Sequence, residues 1–75
     1  MTNYQPKKRS LTLSGHKTSV SIEDPFWDYF HKIAKKKNQS INRLATNIDL
    51  DRPPNVGLAT SIRIFCLLEA TKLNL

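Results

Sequence analysis

A six-residue alternation, Lys17-Thr18-Ser19-Val20-Ser21-Ile22, runs directly into two amphipathic stretches, and it constrains this chain more than any other feature. Side chains alternate along a strand, so Thr18, Val20 and Ile22 share one face while Lys17, Ser19 and Ser21 share the other. The first face is apolar enough to join a core. The second carries small hydroxyls and one cation, which suits contact with a wet, charged surface. A lone strand of this length leaves backbone N–H and C=O groups unpaired along both edges and is not stable by itself. No neighbouring segment offers an obvious long partner. The expected remedy is the same strand from a second copy, paired antiparallel about a two-fold axis.

Size points the same way. A chain of 75 residues holds one domain, and at that length a monomer buries only about 60% of its unfolded surface. The single cysteine, Cys66, excludes an internal disulfide and any multi-cysteine zinc site, and His16 and His31 share no metal-ligand spacing with it. Neither metal nor cofactor is therefore expected, and oligomerisation is the remaining way to stabilise so small a core. A lone thiol fits a reducing, cytoplasmic setting. The net charge of +6 directs attention to polyanions such as nucleic acid or anionic lipid. The longest apolar run, Ile64 to Leu68, is far too short to cross a bilayer. Met1 to Pro6 lacks the apolar stretch of a secretory signal.

Residues 1–9 read as a flexible arm ending in the basic cluster Lys7-Lys8-Arg9, and residues 10–75 as the folded domain. Ser10-Leu11-Thr12-Leu13 alternates with its apolar positions on odd numbers, whereas from Thr18 onward they fall on even numbers. Ser14-Gly15 can supply the bulge or turn that switches phase, which leaves open one long kinked strand or a small hairpin. A first helix is expected near Asp24. Glu23 or Asp24 can cap it, Pro25 suits its first turn, and Phe26, Trp27, Phe30, Ile33 and Ala34 form its apolar stripe. Lysines crowd its end, and Asn38 tolerates the left-handed backbone that terminates helices. Ser40 caps a second helix with Ile41, Leu44, Ala45 and Ile48 on its apolar face, and Arg52-Pro53-Pro54 ends it. A third helix runs from about Leu58 to Lys72, with apolar groups around most of its circumference.

The order strand, helix, turn, helix resembles the ribbon-helix-helix family of dimeric DNA-binding proteins. The likeness rests on Thr18 to Ile22, on the stripe from Phe26 to Ala34, and on Asn38-Gln39-Ser40-Ile41-Asn42-Arg43 at the second turn. With Lys8-Arg9-Ser10-Leu11, Gly15-His16-Lys17-Thr18-Ser19 and Arg52-Pro53-Pro54 included, the whole chain is similar to a bacterial subfamily of that group. The resemblance implies a mainly α fold with a short N-terminal β-ribbon, an intertwined homodimer, and an extra C-terminal helix. It also implies sequence-specific binding of duplex DNA by a transcriptional regulator, with further assembly of dimers on longer operators left open. A two-stranded ribbon fits the major groove, and the family's base-reading positions map onto Lys17, Ser19 and Ser21. The start of the second helix, with free backbone amides and a positive dipole end, would hold phosphate at Ser40, Ile41 and Asn42, and Arg43 would add charge. Lys7, Lys8 and Arg9 would lie against phosphates.

Enzymatic chemistry fails on inventory. Cys66 lies in an apolar helix without a nearby base, Asp24 and Asp28 are explained by a helix start, and a chain with two glycines has no phosphate-cradling loop. The alternative to DNA binding is a protein-interaction module on the same dimer, an antitoxin or adaptor that docks a protein partner. Membrane binding is disfavoured because the basic residues are scattered over several elements.

Overall fold

The computed structural model describes residues 4–72. Two antiparallel strands, β1 (Lys7–Leu13) and β2 (His16–Ile22), are followed by three helices, α1 (Asp24–Lys36), α2 (Ile41–Asp51) and α3 (Leu58–Lys72). The strands form a hairpin with Leu13 opposite His16 and Lys7 opposite Ile22. At the tip, Ser14 and Gly15 both take positive φ, 51° and 84°. A two-residue turn of this kind matches the right-handed twist of the strands it joins, and glycine adopts it without the Cβ penalty.

The hairpin gives β2 a strand partner inside the chain on one of its edges. The partner is β1, from the same chain, and this settles the choice between kinked strand and hairpin. It also explains the shift in alternation. Across the register Leu11 stands opposite Thr18 and Arg9 opposite Val20, so odd positions of β1 share a face with even positions of β2. One difference concerns the arm expected over residues 1–9. Lys7, Lys8 and Arg9 form the first half of β1, each standing opposite a residue of β2 in the register; Met1 to Asn3 lie outside the described residues.

One side of the sheet packs on the helices. Leu11, Val20 and Ile22 from the hairpin meet Phe30, Ile33 and Ala34 of α1, Leu44 and Ala45 of α2, and Ile62 and Cys66 of α3 in one buried cluster. Thr18 does not join it: near the hairpin tip it remains exposed. Trp27 and Phe26 are only half-buried against the same core. The helix ends follow local chemistry. Glu23 is the N-cap of α1 without a side-chain capping bond, and Pro25 sits in the first turn. Asn38, at φ 55°, closes α1 while the Gln39 N–H reaches back to Ala34 O at 2.9 Å and the Asn38 N–H to Lys35 O at 3.1 Å, the paired bonds of a Schellman ending. Ser40 Oγ accepts from the Arg43 N–H at 3.1 Å. Arg52 is extended at φ −69°, ψ 145°, as a residue before proline must be.

Candidate nucleic-acid interface

The face of the hairpin turned away from the core is built from three cross-strand pairs, Lys8 with Ser21, Ser10 with Ser19, and Thr12 with Lys17. All six side chains are exposed. Directly opposed residues on one face lie within reach of the same ligand atom, so hydroxyls fill the middle of the surface and a lysine stands at each of two diagonal corners. No carboxylate interrupts it. Lys17, Ser19 and Ser21 are therefore brought together as the sequence anticipates, and Lys8, Ser10 and Thr12 complete their surface. The second strand's contribution was hidden because β1 opens with charged residues, which carry no apolar alternation. The switch of phase across Ser14-Gly15 was the signal that could have revealed it.

The three basic residues expected to touch phosphate divide by this parity. Lys8 faces outward. Lys7 and Arg9 turn to the other side, where Lys7 Nζ donates to Asp24 Oδ2 at 2.9 Å and Arg9 Nη2 donates to Asp24 Oδ1. Arg9 also donates from Nε and Nη2 to Ile22 O, at 3.2 and 3.0 Å, and its guanidinium lies over the Trp27 ring, 5.4 Å from the centroid. Such a cation on an indole face is stabilising. Arg9 thus ties the open end of the hairpin to α1.

Carboxylates at that junction are held ionised. The hydrogen bond from Arg9, and then that from Lys7, keep the Asp24 carboxyl below its ordinary range. The Arg63 guanidinium does the same for Glu23, donating from Nε to Oε1 at 2.8 Å and from Nη2 to Oε2 at 3.2 Å. A carboxyl whose folded pKa is depressed adds stability that is fully present above its unfolded pKa and is lost as pH falls through the folded value. Stability measured by urea unfolding is accordingly expected to hold steady down to about pH 5 and to decline below about pH 4. Asp24→Asn should flatten part of that decline, and an equally steep acid limb in the variant would contradict the assignment.

The beginning of α2 is fastened to the ribbon. Asn42 Oδ1 accepts from the Thr12 N–H at 2.9 Å, which satisfies a backbone group on the outer edge of β1. This bond sets Ser40, Ile41, Asn42 and Arg43 beside the Thr12–Lys17 pair. Ser40, Asn42 and Arg43 are exposed and Ile41 is half-buried. Arg43 has no carboxylate partner among the described residues. The first turn of a helix carries free amides and the positive end of the dipole, so this corner adds attraction for an anion next to the lysine-and-hydroxyl face. Lys37 at the end of α1 is instead paired with Glu69 at 3.5 Å.

Cys66 is buried, with its Sγ 3.7 Å from Phe26 O. Burial pushes its thiol up to about 11, the state of an inert packing group. Among the described residues no group of three or more His, Cys, Asp or Glu is placed to hold a metal ion, and no helix is long and apolar enough to cross a membrane.

A family model described as a ribbon-helix-helix domain matches residues 6–70. No curated protein and no solved structure matches the chain. The family match spans the hairpin and nearly all of the three helices whose packing sets the outward face beside the start of α2. The chain belongs to the ribbon-helix-helix domain family.

Proposed function

We propose that this protein binds duplex DNA as a homodimer and regulates transcription, with the hairpin in the major groove and the start of α2 on flanking phosphates. Members of the family are generally DNA-binding regulators, and the observation that carries the reading here is the outward hairpin face. A two-stranded ribbon is narrow enough for the major groove. Lys17 and Lys8 donate to guanine O6 and N7 or to the backbone, and Ser10, Thr12, Ser19 and Ser21 donate to or accept from several bases. Short hydroxyls discriminate bases less sharply than Arg or Asn forks, so this surface favours modest selectivity per base pair.

In this division of labour Ser40, Ile41, Asn42 and Arg43 grip the backbone. Lys8 adds charge from the ribbon, while Lys7 and Arg9 support it through Asp24. The test is fluorescence anisotropy with labelled genomic and random duplexes across a salt series. Affinity should fall steeply with salt, by a log–log slope of about −0.9 for each phosphate neutralised. Arg43→Ala is expected to weaken every duplex alike, roughly tenfold near 0.1 M salt, and to flatten the slope by about 0.9. Absence of binding even at low salt would overturn the proposal.

A further inference from the structure

We propose that the cleft between the C-terminal halves of α1 and α3 binds a small organic phosphate with an apolar body, at a site separate from the hairpin face. The cleft has a volume of about 420 Å³, within the size range of small-molecule sites. Its floor is apolar, lined by half-buried Tyr29 and buried Ile33. Its rim is cationic. Lys32, Lys36 and Lys37 come from α1, and Lys72 comes from α3. Tyr29, Ile33 and Lys36 recur at four- and three-residue steps, and Lys32 stands four residues before Lys36, so α1 presents them along one strip. No hairpin residue lines the cleft.

Charge selects the ligand. The one carboxylate in the cleft, Glu69, is engaged by Lys37 Nζ at 3.5 Å. Lys32, Lys36 and Lys72 have no ion-pair partner among the described residues. Three uncompensated ammonium groups therefore share the rim. Two helix ends also meet here, since α1 closes at Lys36 and α3 at Lys72, and each C-terminus carries roughly half a negative charge. Three cations against those two ends leave a surplus of about two positive charges. A phosphate monoester near neutral pH carries about −1.5 to −2 and matches that surplus, and lysine serves phosphate as a point charge. The head alone would leave the Tyr29 and Ile33 floor in water, and an uncharged apolar molecule would leave the lysines unneutralised. Only a ligand with both parts satisfies floor and rim together.

Amide chemical shifts of the labelled full chain, without DNA, test this with naphthyl phosphate as the probe. Saturable shifts are expected at Tyr29 to Lys37 and at Glu69 to Lys72, with a Kd of about 1 mM or tighter, the range for a ligand of that size. Inorganic phosphate has the head alone and naphthol the body alone, and each should bind at least about tenfold more weakly. Naphthoate, with a single charge, should bind about threefold more weakly. Lys36→Ser/Lys72→Ser should weaken naphthyl phosphate about tenfold, with unchanged far-UV circular dichroism. Lys35→Ser, which lies outside the cleft, should leave the affinity within about twofold. Absence of saturable shifts, shifts centred on the hairpin, equal affinity for naphthol, naphthoate or inorganic phosphate, or equal losses from the two variants would each overturn the proposal. Because no DNA is present, any of these outcomes leaves the reading of the ribbon as a duplex-binding face to stand or fall on its own titration.

Discussion

Replacing Phe30 by alanine is expected to remove about 3–5 kcal/mol of folding stability. The ring is fully buried. It lies edge-on to Phe65 of α3, with centroids 6.4 Å apart, and 6.0 Å from the Trp27 ring. The change therefore opens a cavity where α1 and α3 meet in the shared cluster. A domain of ordinary stability has only about 5–15 kcal/mol in total, so the variant should stand near the edge of unfolding at room temperature. Urea titration followed by Trp27 fluorescence measures the loss directly. Phe30→Leu keeps most of the volume and should cost far less. A drop below about 1 kcal/mol for the alanine variant would mean that the helices do not close over the hairpin as described.

The second large effect concerns binding. Lys8→Glu/Lys17→Glu is expected to reduce affinity for duplex DNA by at least about a hundredfold near 0.1 M salt, since each lost phosphate contact is worth roughly tenfold there. On the proposed reading this face enters a groove bordered by phosphates, so replacing two cations by two carboxylates adds repulsion to the loss. Both side chains are exposed, and their substitution leaves the core cluster untouched. Far-UV circular dichroism and the urea midpoint should match the wild type within error. The reversal of Lys35 and Lys36, at the far end of α1, should have a much smaller effect measured by the same titration. Equal losses from the two pairs would indicate attraction by net charge alone, without an ordered face.

The helices were legible in the sequence because each carries its own start and stop. Asp24 with Pro25, Asn38, Ser40 and the Arg52-Pro53 step act locally, and the observed ends of α1 and α2 fall at those residues. The apolar stripe of α1 was readable for the same reason, though only Phe30, Ile33 and Ala34 of it are fully buried. Pairing of β2 with the preceding strand was legible only as one of two alternatives, because that strand begins with Lys7-Lys8-Arg9 and shows alternation only over its second half. Charged residues with long stems read as a solvated tail, yet here Arg9 covers Trp27 and Lys7 meets Asp24. Those contacts depend on α1 arriving from elsewhere in the chain, which no window of local sequence contains. The outward positions Lys17, Ser19 and Ser21 follow from alternation alone. Their counterparts Lys8, Ser10 and Thr12 emerge only once the register is known.

The closeness of the α2 start to the ribbon has the same origin. A serine cap is visible in the sequence, but the bond from the Thr12 N–H to Asn42 spans thirty positions. It turns two separate expectations, one on a strand and one on a helix, into neighbouring parts of one surface. Apolar residues all around α3 suggested burial on more than one side. Ile62 and Cys66 are buried within the chain, while Ile64, Leu67 and Leu68 are left outside it.

Chemical-shift mapping is the most direct measurement. Amide resonances of isotope-labelled protein are followed while a bound duplex is added in steps. Shifts are expected at Lys8, Ser10, Thr12, Lys17, Ser19 and Ser21 together with Ile41 to Arg43, and not at Ile64, Leu67 or Leu68. Perturbations concentrated on α3, with the hairpin amides unmoved, would contradict the assignment of a single chain's own two-stranded ribbon as the surface that meets DNA.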